Sequence, residues 1–325
     1  MPRTANDYPE EIITISKSAI LELWRSLHRY TNGMILIGGW VPYFLLEKFG
    51  GKSYEHDHVG SIDIDIALNE KIISEEAYAN IEQLVEQLGY KHKLDKNDNQ
   101  IPFVFLKDFH TSDTLVTIEV DFLGTYYGNK GHRHQPISGL LARKCHGVDI
   151  VFNNYIKETI SGQFPKGGRT TETIRIANLV ASLTMKGIVL GERYKEKDAY
   201  DIYYLVTYYK NGPIDAANEI NAHPANNLIN EAITTIKKDF DSRESAGPAW
   251  VASFLNEEGD ERESRITDVF MNVNEFFKNL QEKKKLKKKV MLDWFLKGKI
   301  DLETYKQSMD LLHKKDKDSN VVGYV

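Results

Sequence analysis

Two pairs of carboxylates stand out in the chain, each with its members two residues apart. Asp63 and Asp65 lie within Ser61-Ile62-Asp63-Ile64-Asp65-Ile66-Ala67-Leu68, and Glu119 and Asp121 lie within the apolar stretch from Leu115 to Leu123. In a strand, successive side chains point to opposite faces, so each acidic pair shares one face and its aliphatic neighbours share the other. Carboxylates are poor strand formers, and two on one face repel unless water, a cation or a basic group lies between them. A divalent cation resolves that repulsion, because magnesium prefers oxygen ligands and is held by one or two carboxylates together with substrate phosphates. The competing account of each pair is an amphipathic strand whose polar face is simply hydrated.

The elements that must position these acids follow from the flanking sequence. Met34 to Ile37 is a short branched apolar run ending in Gly38-Gly39, and Val41 to Phe49 reads as a helix with Pro42 in its first turn and Gly50-Gly51 at its end. A helix starting directly after two glycines offers free N–H groups, a positive dipole end and room for close approach, which is a seat for phosphate. Ser16 to Thr31 predicts a core-facing helix capped by Ser16 or Ser18, and Ser74 to Gly89 predicts another. Lys91 to Gln100 reads as a polar loop, followed by strands over Ile101 to Leu106 and Thr114 to Leu123 with a turn through His110 to Asp113. Val148 to Ile160 and Thr170 to Ile176 read as extended or hairpin segments around Phe164 to Gly168.

Leu179 to Lys186 predicts a helix ending at Gly187, and a second helix starts near Lys197 with Ile202, Leu205, Val206 and Tyr209 as its buried stripe. Asp198 and Asp201 lie one turn before stripe residues, in line with the buried face; the alternative is that they complement the helix dipole. Helices are expected over Asp215 to Phe240, Trp250 to Leu255, Ile266 to Leu280, Val290 to Lys297 and Leu302 to Lys315. The lysine run from Lys283 to Lys289 is either a solvated helix face or a phosphate-tracking patch for RNA.

The succession of a strand ending in Gly-Gly, a helix, and a strand carrying Asp-x-Asp after the hydroxyl residue Ser61 resembles the nucleotidyltransferase superfamily of DNA polymerase beta. That resemblance implies an α+β fold, with an N-terminal mixed-sheet domain over residues 1–165 and a mainly helical domain over 166–325. It implies that Gly38, Gly39 and Ser61 meet the nucleotide and that Asp63, Asp65 and a third acid, Asp121 or Glu119, hold two Mg²⁺ ions, or Mn²⁺. Many members have serine at the second glycine, so backbone N–H groups alone would meet phosphate there. Lys186, then Arg193, then Lys197-Asp198 with Asp201 looks like the AbiEii-like toxin nucleotidyltransferases of type IV abortive-infection systems. Motif for motif, Lys186 takes the place of the nucleotide-contacting lysine, Arg193 and Lys197 fall at basic positions, and Asp198 and Asp201 match the paired acids. Asp198 is the stronger catalytic candidate of the two. The matches run from about Met34 to Tyr209.

The expected activity is therefore transfer of a nucleoside monophosphate from an NTP to a hydroxyl acceptor, which by resemblance is the end of a tRNA or another RNA, with an antitoxin protein as partner. The rivals are a nucleotidyltransferase acting on an antibiotic-like small molecule and a nucleotide-binding protein without turnover. Composition sets outer bounds. The 325 residues, 41% hydrophobic, suffice for two domains with full cores, and the net charge of −5 restricts nucleic-acid binding to local basic patches. The sequence shows neither a membrane-length apolar run nor a signal-peptide segment, so a cytoplasmic protein is expected. The single cysteine, Cys145, excludes an internal disulfide. Histidines two apart occur at His56 and His58 and at His132 and His134, but no further ligands at zinc-site spacing follow, and Arg133 is better suited to phosphate or RNA.

Overall fold

The computed structural model describes residues 3–51, 58–69, 71–73, 75–110, 115–125, 134–137, 140–224 and 226–317. Helix α1 (Glu10–Ser26) leads into β1 (Met34–Ile37), α2 (Trp40–Phe49) and β2 (Ile64–Leu68). Helix α3 (Glu75–Gln87) is followed by β3 (Lys91–Leu94), β4 (Gln100–His110), β5 (Leu115–Thr125), β6 (His134–Ile137) and β7 (Leu140–Cys145). A 3₁₀ turn over Val148–Asn153 precedes the hairpin β8 (Tyr155–Gln163) and β9 (Arg169–Ala177). Helices α4 (Leu179–Arg193), α5 (Glu196–Tyr208), α6 (Pro213–Ala222), α7 (Asn227–Phe240), α8 (Ala246–Phe254), α9 (Gly259–Leu296) and α10 (Leu302–Lys317) complete the described chain.

The strands form one nine-stranded mixed sheet with the path β3-β4-β5-β2-β1-β9-β8, and the β6–β7 hairpin joins it through β5. Its centre is apolar because β1 is buried along its whole length, as strands covered on both faces must be. β2 runs antiparallel to β1 and parallel to β5. A parallel pair cannot be joined by a tight turn, so the chain crosses over through α3, β3 and β4 before β5 comes to lie beside β2. Helix α1 packs on β8 and β9, α4 packs on α5 and α7, and α5 on α8 and α9. A single continuous core runs from Ala19 in α1 to Leu280 in α9.

Several expected elements differ from those observed. Lys91–Leu94 is an edge strand rather than loop, its polar residues tolerated because, among the described residues, β4 alone pairs with it. The expected domain boundary after Pro165 falls inside the β8–β9 hairpin, so the sheet extends to Ala177. Ser16 does not cap α1; the helix starts six residues earlier, after Pro9, and Ser16 is buried within it. The expected helix from Asp215 to Phe240 divides into α6 and α7 at Pro224, and Asn226 caps α7 by accepting the N–H groups of Leu228 and Ile229. The two helices expected on either side of the lysine run are one helix of 38 residues. Residues 111–114 and 126–133, and with them the expected turn and Arg133, lie outside the described residues, as do His56 and the side chains of Gln281 to Lys287 and of His134. Among the described residues no helix is long and apolar enough to cross a membrane.

Helix α4 does not stop at Gly187 but runs on through Gly191 to Arg193. The reason is contact: a Cβ at Gly187 would lie 2.8 Å from both Cβ and O of Ala232 on α7. The glycine lets two helices approach at the cost of helix propensity. Gly187→Ala should therefore destabilise the fold by about 1–3 kcal/mol through overpacking, despite the better helix former. Urea unfolding of the two proteins measures this directly.

Candidate active site

The carboxylates of Asp65 and Asp121 are brought together by strand register. In the parallel β2–β5 pair, Asp65 stands opposite Asp121 and Ile64 opposite Val120, so the two acids share a face. Asp121 is buried and Asp65 half-buried. Both line a cavity of about 580 Å³ whose other walls come from the β1–α2 turn (Ile37, Gly38, Val41) and from one face of α4. That α4 face is Ser182, Met185, Lys186, Val189, Glu192 and Arg193, spaced at three and four residues as one helical stripe requires. Cys145, His146, Asp198 and Leu123 also line it.

Gly38 is where the turn meets the acids. Its φ is +73°, and a Cβ there would fall 1.9 Å from Oδ2 of Asp65, so the carboxylate lies directly on the turn that begins α2. No side chain other than hydrogen fits at that position. At Gly39 a Cβ would meet Oγ of Ser61 at 2.8 Å, which places Ser61 on the second glycine. The glycine turn, Ser61 and Asp65 thus form one contiguous surface at a helix N-terminus.

Asp63 departs from expectation in one respect: β2 starts at Ile64, so Asp63 sits in a bend before the strand instead of on it. It is exposed and does not line the cavity, yet neighbouring protein atoms displace enough water from its carboxyl to raise it to about 6, with the negative charges of Asp65 and Glu119 adding to the effect. Glu119 is paired with Lys93 at 2.6 Å, and Asp121 is the acid that stands beside Asp65 in the cavity. Among the described residues no three His, Cys, Asp or Glu side chains are already gathered into a metal cage. The paired carboxylates of Asp65 and Asp121 on the cavity wall fit a magnesium ion that keeps several waters and completes its shell with substrate phosphates.

Lys186, Asp198 and Asp201 form a buried network that borders the same cavity through Lys186 and Asp198. Lys186 Nζ donates to Asp198 Oδ1 at 2.8 Å and pairs with Asp201 Oδ2 at 2.6 Å. Arg193 grips Asp198 with two N–H groups, at 2.9 and 3.1 Å, the bidentate geometry a guanidinium favours. Asp201 Oδ1 takes Lys197 Nζ at 2.5 Å and His58 Nε2 at 2.8 Å. Burial alone would raise both carboxyls, but Lys186 with Arg193 holds Asp198 below the usual range, and Lys186 with Lys197 holds Asp201 well below it. Burial would likewise depress Lys186, and the two aspartates more than reverse that. The structure thus brings Asp65, Asp121, Lys186, Arg193 and Asp198 to one cavity, and places Asp201 and Lys197 behind it. Ser182, Val189 and Glu192 escape the sequence reading, although extending the α4 stripe past Gly187 identifies the last two; the sequence marks His58 only as one of two histidines at a metal-ligand spacing, not as the partner of Asp201.

No protein-family model matches the chain, and no curated protein matches it at a significant level.

Two outcomes follow from these charges. Asp201→Asn leaves Lys186 and Lys197 buried with too little negative charge, and should cost about 3–5 kcal/mol. Because the folded pKa of Asp201 lies below its ordinary 3.8, its contribution is present above that pH and fades as pH falls toward the folded value. Denaturant unfolding at a series of pH values should show the two proteins converging only in acid. Asp63 has the opposite sign: its raised pKa makes the native state lose stability as pH climbs from 3.8 to about 6. A cation favours the ionised form, so Mn²⁺ affinity measured by titration should rise as pH passes about 6. In Asp63→Asn that step should vanish.

Proposed function

We propose that the chain is a magnesium-dependent nucleotidyltransferase that moves a nucleoside monophosphate from an NTP to a hydroxyl on RNA, in the manner of the toxin nucleotidyltransferases its motifs resemble. The observation that carries this reading is the register pairing of Asp65 with Asp121 on the wall of a cavity that Gly38 also lines. Asp65 and Asp121 on the cavity wall, with Asp63 just before β2, would hold the cation, and Asp121 would take the proton from the acceptor hydroxyl. Magnesium, when bound, supplies the charge that stabilises the attacking and leaving oxygens of an in-line displacement. The acceptor oxygen forms its bond to the α-phosphorus as the bond to pyrophosphate breaks. The N-terminus of α2 and the half-exposed Arg193 guanidinium, already oriented by Asp198, favour phosphate binding in the cavity. Lys186 supports the nucleotide side through Asp198, since its ammonium is committed to Asp198 and Asp201.

The test is incubation with Mg²⁺, labelled NTPs and either total tRNA or an aminoglycoside panel. Label should appear on RNA. Asp65→Asn should reduce the transfer about 100-fold or more, the scale of a lost transition-state charge contact, while unfolding as cooperatively as the wild type. Label on the drug would transfer the reading to small-molecule modification, and saturable nucleotide binding with no label on either would sink the enzymatic reading.

A further inference from the structure

Residues 58–62 carry the chain to Asp63 with no regular structure of their own. Their position is set instead by bonds to two helices, one of which is tied in turn to a third. Val59 N–H donates to the Tyr200 hydroxyl on α5 at 3.1 Å. The carbonyl of Ile62 accepts from Ser16 Oγ on α1 at 2.9 Å, and Ser16 in turn accepts from Trp40 Nε1 on α2 at 3.2 Å. The remaining anchor is His58. Its Nδ1 accepts the N–H of Gly60 at 3.1 Å, so the ring proton resides on Nε2 and is donated to Asp201 Oδ1 at 2.8 Å. The His58 and Asp201 side chains have no solvent access at all. The ring lies against Tyr200 and Tyr204, with centroids at 4.9 and 5.6 Å.

A histidine with both nitrogens engaged in this way does not suit metal ligation or proton exchange with a substrate. It suits holding one piece of backbone against another. We propose that His58 is a positioning residue for the acidic site: hydrogen-bonded to Asp201, it fixes the 58–62 segment and so sets where the chain delivers Asp63 just before β2, two residues before Asp65. This rests on the reading of Asp63, Asp65 and Asp121 as cation-binding acids. It also gives Asp201 a task that its burial permits, since a carboxylate with no solvent access, already engaged by two lysines and a histidine, acts through its partners. Burial, reinforced by the nearby Lys197 charge, lowers His58 to about 4, which keeps the ring neutral and the tautomer constant at physiological pH.

The experiment compares wild type, His58→Ala and His58→Gln, the last of which retains an amide donor toward Asp201. Amide hydrogen exchange reads the segment itself, and Mn²⁺ titration followed by electron paramagnetic resonance reads the acids. In His58→Ala, exchange over residues 59–63 should accelerate roughly five- to tenfold while α7 and α9 keep wild-type protection, as loss of one or two local bonds predicts. Mn²⁺ affinity should fall about 10- to 100-fold, the usual effect of removing a partner that orients ligands. His58→Gln should recover most of both. Unchanged exchange over 59–63, or acceleration spread evenly through the molecule, would overturn the proposal. Faster local exchange with undiminished Mn²⁺ affinity would overturn it equally, by separating the segment from the acids. Should His58→Ala not fold, a folded His58→Gln with lost Mn²⁺ affinity and wild-type exchange over 59–63 contradicts it, and one matching wild type in both upholds it. Absence of Mn²⁺ binding by wild type itself would remove the acidic-site reading and with it the role assigned to His58, whatever the exchange shows.

Discussion

A carboxylate shut away from water survives only in company, and Asp201 is the point at which this chain meets that constraint. Its oxygens are shared among Lys186 from α4, Lys197 from its own helix and His58 from the segment before β2. Desolvating so many charges is unfavourable unless every one is matched with good geometry. Matching them forces α4, α5 and the 58–62 segment into one relative placement. Asp198, one turn earlier on α5, extends the same lattice to Arg193 at the end of α4. The face of α4 that borders the cavity is therefore oriented by charges that lie behind it. Apolar packing alone would tolerate sliding of these helices, whereas a network of short directional bonds does not.

The acidic wall depends on a different kind of constraint, the pleat and register of the sheet. Parallel pairing of β2 with β5 puts Asp65 and Asp121 side by side, and a slip of one residue in either strand would send one carboxylate into the core with the isoleucines. Gly38 then closes the arrangement. With φ at +73° and no Cβ, it leaves the space that the Asp65 carboxylate occupies. Backbone conformation, strand register and carboxylate position are accordingly one feature rather than three.

The parts of this architecture with strong periodicity were legible in the sequence. The buried run Met34 to Ile37, its glycine turn and the helix after it occur as read, as do the Ile64-Asp65-Ile66 alternation and the acid-bearing strand through Asp121. The parts decided by tertiary contact were not. Lys91 to Leu94 carries no apolar signal, because an edge strand with water on its outer side needs none. Gly187 reads as a stop until Ala232 of α7 is seen to lie against it. The lysine run separates two stretches of helical periodicity, yet lysine is a good helix former and α9 continues through it. Ser16 reads as a cap, but its hydroxyl serves the carbonyl of Ile62, far along the chain. His58 stands out only for lying two residues from His56, which says nothing of its role, since its partners Asp201 and Tyr200 are distant in sequence and adjacent only after folding.

The resemblance to nucleotidyltransferases assigns Lys186, Arg193 and Lys197 to the nucleotide, and the geometry divides that assignment by charge. With His58 neutral, the buried network holds three cations, Lys186, Arg193 and Lys197, against two carboxylates, Asp198 and Asp201. One unit of positive charge is left over. It is not spread evenly, because both lysines are largely enclosed, while about half of the Arg193 side chain remains open to solvent. Two N–H groups of its guanidinium are spent on Asp198, which leaves donors of a rigid planar fork facing outward. The cavity consequently has an acidic side at Asp65 and Asp121 and a basic side at Arg193. The proposed substrate, a polyphosphate carrying a divalent cation, would be complementary to both sides at once, whereas a free anion or a free cation would be complementary to only one.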